Sequence, residues 1–102
     1  MQKHAIGKTG LAVTAIGFGT APLGGMPDTY GHSVDETTAR ATVRAIFDSP
    51  VNLIDTSRNY GAGRSEERIG AVIREKKFAT VIPDGASCAS ACALAWLGGT
   101  KR

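Results

Sequence analysis

The sequence predicts an α/β fold with parallel strands. After a short hairpin, apolar strand-like runs alternate with amphipathic helical runs, the order that builds βαβ units. The chain also carries 13 glycines in 102 residues, many of them clustered between those runs, as tight turns require.

The elements follow in order. Turn formers at Gly7-Lys8-Thr9-Gly10 lie between His4-Ala5-Ile6 and Leu11-Ala12-Val13, which predicts a hairpin over residues 4–14. The run from Thr14 to Thr20 predicts a short apolar strand with a glycine-rich exit. Residues 21–34 hold Pro22, Gly24, Gly25, Pro27, Asp28 and Gly31 and are expected to form a long loop. A helix opens near Ser33-Val34-Asp35-Glu36, capped by either Ser33 or Asp35, with acidic residues favoured in its first turn. Ala39, Val43, Ile46 and Phe47 form its apolar face, and Asp48-Ser49-Pro50 stops it, because proline disfavours helical geometry at the preceding residue.

Val51–Asp55 is then a strand ending in a carboxylate, followed by a polar loop from Thr56 to Arg64. Ser65-Glu66-Glu67-Arg68 starts a second helix with Ile69, Val72 and Ile73 on one face. Phe78–Ile82 predicts a third strand, ended by Pro83-Asp84-Gly85, and Ser87–Leu97 a small-residue helix closed by Gly98-Gly99. The composition changes at Glu75-Lys76-Lys77, so residues 1–75 are expected to form one unit and 76–102 a separate tail.

Composition narrows the function classes. With 42% hydrophobic and 21% charged residues the chain has an ordinary globular balance, which argues against disorder throughout. Its 102 residues suit one small domain and cannot hold a complete enzyme barrel of roughly 250 residues. The net charge of +3 is scattered, with no basic stripe, so no nucleic-acid partner is expected. No apolar run approaches the roughly 20 residues of a membrane span. The first ten residues lack a signal-like hydrophobic segment, which points to the cytoplasm. Cys88 and Cys92 lie one helical turn apart, too close for an unstrained disulfide and too few for a metal site, and are expected to be small buried hydrophobes.

Two motifs carry a resemblance. Gly10-Leu11-Ala12-Val13-Thr14-Ala15-Ile16-Gly17-Phe18-Gly19-Thr20 resembles the opening of aldo-keto reductases, and so does Asp55-Thr56-Ser57-Arg58-Asn59-Tyr60-Gly61 followed by Ser65-Glu66-Glu67-Arg68-Ile69-Gly70. The resemblance covers about residues 3–75 and is to the sugar- and pyridoxal-dehydrogenase branch of the family. It implies the start of an incomplete (β/α)8 barrel: the hairpin plus two to three βα units. It also implies hydride transfer between NADP or NAD and a small-molecule carbonyl or sugar. By the same resemblance Asp55 is the tuning carboxylate, Tyr60 the general acid, and Gly19, Thr20 and Asp55 the cofactor-side residues.

The chemistry of those roles is sound. A free tyrosine titrates near pH ~10 and donates protons poorly near neutrality, whereas a lysine ammonium beside it brings it closer to working pH. An aspartate at a strand end can hold that lysine. On pattern alone the other reading is that Asp55 is a loop cap and Tyr60 a half-buried loop aromatic.

The family's lysine follows its third strand in a Thr-Lys step, where this chain has Phe78-Ala-Thr-Val-Ile-Pro-Asp84; Lys76 and Lys77 precede that strand. The family's histidine follows a fourth strand, and neither His4 nor His32 substitutes for it. Residues 79–102 resemble instead a segment of ClpP-like proteins, in which Ser90 would match the nucleophile of Clp-type serine peptidases; the other reading makes Ser87 the cap of a packing helix. Two unlike matches meeting near residue 76 suggest a truncated or fused reading frame. The expected identity is an aldo-keto reductase-like chain with little or no activity alone. The alternatives are a non-catalytic remnant or interaction module, or a fragment of a ClpP-like serine peptidase.

Overall fold

The computed structural model describes residues 1–78. Phe78, the first residue of the predicted third strand, is the last described residue, its amide donating to the Ile73 carbonyl at 3.1 Å. The rest of that strand, the Ala/Cys-rich helix, Cys88, Cys92 and Ser90 lie outside the described residues.

The hairpin forms as the turn residues dictate. β1 (Lys3–Ala5) pairs antiparallel with β2 (Ala12–Thr14), His4 opposite Val13. The Thr9 hydroxyl donates to the Ile6 carbonyl at 2.6 Å and accepts from the Leu11 amide at 3.2 Å, closing the turn. Thr14 therefore belongs to the hairpin and not to the strand predicted over 14–20. That next strand, β3, is confined to Phe18–Gly19, because only there does the backbone find a ladder partner.

The segment expected as a long loop is partly helical. A 3-10 turn spans Ala21–Gly24 and a short helix, α1, spans Pro27–Tyr30, each with a proline in its first positions. Proline's fixed φ and missing N–H suit the start of a helical turn as well as a loop.

The helix α2 (Glu36–Phe47) is capped by Asp35, whose carboxylate accepts the Thr38 amide at 2.7 Å. It buries Ala39, Val43 and Ile46, the face read from the sequence, with Phe47 half-buried. Strand β4 (Ile54–Asp55) is shorter than the predicted 51–55 and lies parallel to β3, Phe18 opposite Ile54 and Gly19 opposite Asp55. Helix α3 (Arg64–Glu75) begins one residue before the predicted start and runs back along the layer.

The described residues thus form a hairpin and two βα units, β3–α2 and β4–α3. Leu23, Ala39, Val43, Ile69 and Val72 form the buried core, with Val34, Phe47, Ile54 and Ile73 packed against it. Asn52 ties the hairpin to the approach of β4: its Oδ1 accepts the Thr14 amide at 2.7 Å and its Nδ2 donates to the Ala12 carbonyl at 3.0 Å.

Candidate functional site

In a parallel layer, strand ends share one rim, and ligands of α/β sheets gather at the carboxyl rim. Here that rim is built by Gly19, Thr20 and Asp55. The Thr20 amide and hydroxyl both donate to the Asp55 carbonyl, at 3.1 and 2.8 Å, so one buried residue fixes the end of β4 from the end of β3. The Ser65 hydroxyl reaches in from α3 and lies 3.0 Å from both the carbonyl and the hydroxyl oxygen of Thr20, with the Thr56 hydroxyl 3.3 Å beyond. The Thr20 side chain is thereby committed to the backbone, while the Asp55 side chain is exposed at the rim.

Tyr60 is half-buried on the loop after β4. Its amide donates to the Ser57 carbonyl at 3.1 Å, and its own carbonyl accepts the Ser65 amide at 3.2 Å. Gly61, Ala62 and Gly63 follow in the left-handed region, with φ of 66°, 56° and 93°. That region is costly for alanine and puts local strain directly after the candidate acid. The Tyr60–Gly61 peptide lies flat on Gly24: a Cβ on Gly24 would stand 2.6 Å from the Tyr60 carbonyl carbon, and one on Gly61 2.0 Å from the Gly24 carbonyl oxygen. No side chain fits at either position.

Two arginines of α3 complete the frame. Arg64 donates from Nη1 to the carbonyls of Gly24 and Gly25, at 3.0 and 3.3 Å. Arg68, 6% exposed, donates to the carbonyls of Leu23 at 2.7 Å and Val34 at 2.8 Å and pairs through Nε with Glu36 at 3.0 Å. Hydrogen bonds from Arg40 and, secondarily, Arg68 hold the Glu36 carboxyl below its ordinary value against the opposing effect of burial. Glu66 is also only 6% exposed, and its Oε2 has no hydrogen-bond partner among the described residues. Burial pushes its carboxyl up, partly offset by the Arg58 guanidinium.

The structure therefore brings Gly19, Thr20 and Asp55 into hydrogen-bonded register and fastens the Tyr60 loop beside them. His4 lies in the hairpin, His32 is exposed next to α1, and Lys76 pairs with Asp48 at 2.6 Å at the far ends of α2 and α3. A groove of about 370 Å³ lined by Phe47, Ser49, Pro50, Val51, Asn52 and Ile54 opens at the entry to β4, opposite the rim. Among the described residues no three His, Cys, Asp or Glu side chains are grouped to hold a metal, and no helix is long and apolar enough to cross a membrane.

The sequence pattern described as "Aldo/keto reductase family" matches residues 15–83. The chain belongs to the aldo/keto reductase family. The hairpin and two βα units are accordingly the beginning of a (β/α)8 barrel. The chain is 44% identical over 81 residues to pyridoxal 4-dehydrogenase of Microbacterium luteolum, a match covering 79% of this chain and 22% of that protein. It is 41% identical over 75 residues to aldo-keto reductase YhdN of Bacillus subtilis (strain 168), covering 74% and 22%. With L-galactose dehydrogenase of Arabidopsis thaliana it shares 44% identity over 70 residues, covering 69% and 21%. The chain thus spans about a fifth of the length of the curated relatives it matches.

Within this aldo/keto reductase chain, sequence reasoning missed the structural parts of Ser65, Glu66, Arg64 and Arg68. All four sit in the first turns of α3, where a polar run reads as a solvated helix start. One signal was available: five successive charged or hydroxyl residues, Arg64 to Arg68, occur in a chain whose earlier loop is rich in glycine, and the carbonyls of such a loop need donors.

Proposed function

We propose that residues 1–75 supply the opening part of an NAD(P)-dependent carbonyl–alcohol oxidoreductase site, for a small-molecule carbonyl or sugar of the kind named in pyridoxal 4-dehydrogenase and L-galactose dehydrogenase. The observation that carries this reading is the pairing of Gly19 with Asp55 at the carboxyl rim, with Tyr60 pinned on the loop that leaves it.

The residues present suit a nicotinamide cofactor. Gly19 is exposed, and nothing lies within 4 Å of where its Cβ would project, so a flat ring can approach the backbone there. When bound, such a cofactor supplies or accepts the hydride. Tyr60 donates the proton to the carbonyl oxygen in reduction and takes it back from the alcohol in oxidation. Asp55 is the rim carboxylate that can hold a cation beside that phenol, and Thr20 acts behind it by fixing the Asp55 backbone.

A second reading is favoured by one observation. The charge that would assist Tyr60 is a lysine ammonium, and Lys76 is paired with Asp48 at the opposite end of the layer. On that reading the chain keeps the cofactor-side rim without turnover. Residues 76–102 are proposed as a separate tail in either case, with reactivity of Ser90 toward a serine-directed probe as the test of its likeness to ClpP-like proteins.

The deciding experiment is a thermal melt of the chain with and without millimolar NADPH. Cofactor binding to the folded form raises stability by about 2.7 kcal/mol at a hundred times its dissociation constant. An upward shift supports the site, and turnover of pyridoxal or an aldose then separates the two readings. An unshifted melt with both NADPH and NADH overturns the proposal.

A further inference from the structure

We infer that Arg64 is a positioning residue for Tyr60, bridging the turn after β3 to the loop that carries the candidate acid. The inference rests on the assignment of Tyr60 above.

Arg64 touches both sides of a junction. Its amide donates to the Gly61 carbonyl at 3.2 Å, on the Tyr60 side. Its guanidinium Nη1 donates to the carbonyls of Gly24 and Gly25, on the other side. Between them the Gly24 and Tyr60–Gly61 backbones are in direct contact. Contact between glycines excludes a side chain but has no directional preference, so two such surfaces can slide. Hydrogen bonds from one rigid guanidinium to two carbonyls set their register. The turn itself is anchored to β3, because the Leu23 amide donates to the Thr20 carbonyl at 3.0 Å. A displacement at Gly19–Thr20, where the cofactor is placed, is therefore transmitted through Gly24 and Arg64 to Tyr60. Arg64 does not itself meet the reacting atoms.

The test uses the full chain with ring-13C tyrosine in a Tyr30→Phe background, which leaves Tyr60 as the one tyrosine signal. Arg64→Met is expected to move the Tyr60 ring resonance toward its unfolded position and to speed amide exchange at residues 64 and 65 about tenfold or more. Arg64→Lys, which can still reach a carbonyl, recovers part of that shift. Arg40→Met removes an equal charge from an exposed pair with Glu36 and leaves the signal in place. A Tyr60 signal unchanged in Arg64→Met, moved equally by Arg40→Met, or not recovered at all by Arg64→Lys overturns the inference. Should Arg64→Met fail to fold, the parent protein decides: the amides of Arg64 and Ser65 must be protected from exchange, and free exchange overturns the bridge. None of these comparisons contains a ligand. A failure of NADPH to perturb Tyr60 in the parent protein counts against the proposed function alone.

Discussion

The Ser65 hydroxyl oxygen stands 3.0 Å from both oxygens of Thr20, and Thr20 in turn donates its hydroxyl to the Asp55 carbonyl. A residue from the start of α3 thereby fixes the strand end that bears the candidate carboxylate, through hydroxyl groups that are fully buried.

Replacing either member weakens the same connection. Thr20→Val keeps the shape and removes the donor to Asp55; Ser65→Ala removes the donor to Thr20. Each is expected to cost about 1 kcal/mol in urea unfolding, since the carbonyls involved retain backbone donors. Because the two share one network, the double variant should lose less than the sum of the singles. Strict additivity would show that the hydroxyl chain carries no coupling.

The contact between Gly24 and Gly61 can be separated from the cost of left-handed backbone. Gly10 has φ of 77° with nothing within 4 Å of a Cβ, so Gly10→Ala should cost about 1–2 kcal/mol from conformation alone. Gly61→Ala adds a Cβ 2.0 Å from the Gly24 oxygen and should cost at least about 3 kcal/mol. Equal losses at the two sites would mean that the backbone contact is slack.

Val43 and Val72 are fully buried, on facing helices. Truncation of either to alanine should lower the unfolding free energy by about 2 kcal/mol, against less than about 0.5 kcal/mol for Leu11→Ala on the exposed hairpin. Chemical denaturation at constant m-value checks both.

Glu66 contributes to acid stability in the sense opposite to the lowered carboxylates Asp35, Glu36 and Glu75. Its carboxyl is raised by burial, so the folded form binds the proton more tightly than the unfolded form, whose ordinary value is 4.5. Ionisation therefore costs stability as pH rises from about 4.5 through the folded value, and acidification returns it. Asp35 and Glu36, both lowered, act oppositely: their contribution is present above their ordinary values and is lost as pH falls. Glu66→Gln should gain on the parent protein as pH rises from 4.5 to 7, in urea titrations at each pH. A difference independent of pH would show that Glu66 is not destabilised by its burial.

Periodicity disclosed the helices well. Ala39, Val43, Ile46, Ile69 and Val72 are buried as their spacing requires, because an amphipathic face can be read from one helix alone. The strands were less legible. Residues 14–20 and 51–55 have strand composition, but laddering is confined to Phe18–Gly19 and Ile54–Asp55, and a ladder depends on a partner some 36 positions away. At the candidate site, Asp55 and Tyr60 were visible through their motif. The frame beneath them was not, since the need for Arg64, Ser65 and Arg68 arises from carbonyls and hydroxyls that only tertiary folding brings within reach.

Arg68 holds the carbonyls of Leu23 and Val34, the two ends of the segment that contains α1. One side chain therefore closes an exposed excursion at its neck, and beyond Gly24 and Gly25 the residues from Met26 to Ser33 lie apart from the contacts that hold Tyr60. Lengthening such a loop is cheap, about 0.6 kcal/mol for each doubling. The stretch from Met26 to Ser33 is thus the place where this scaffold can accept insertions, and with them new side chains, while the neck and everything beneath it keep their geometry.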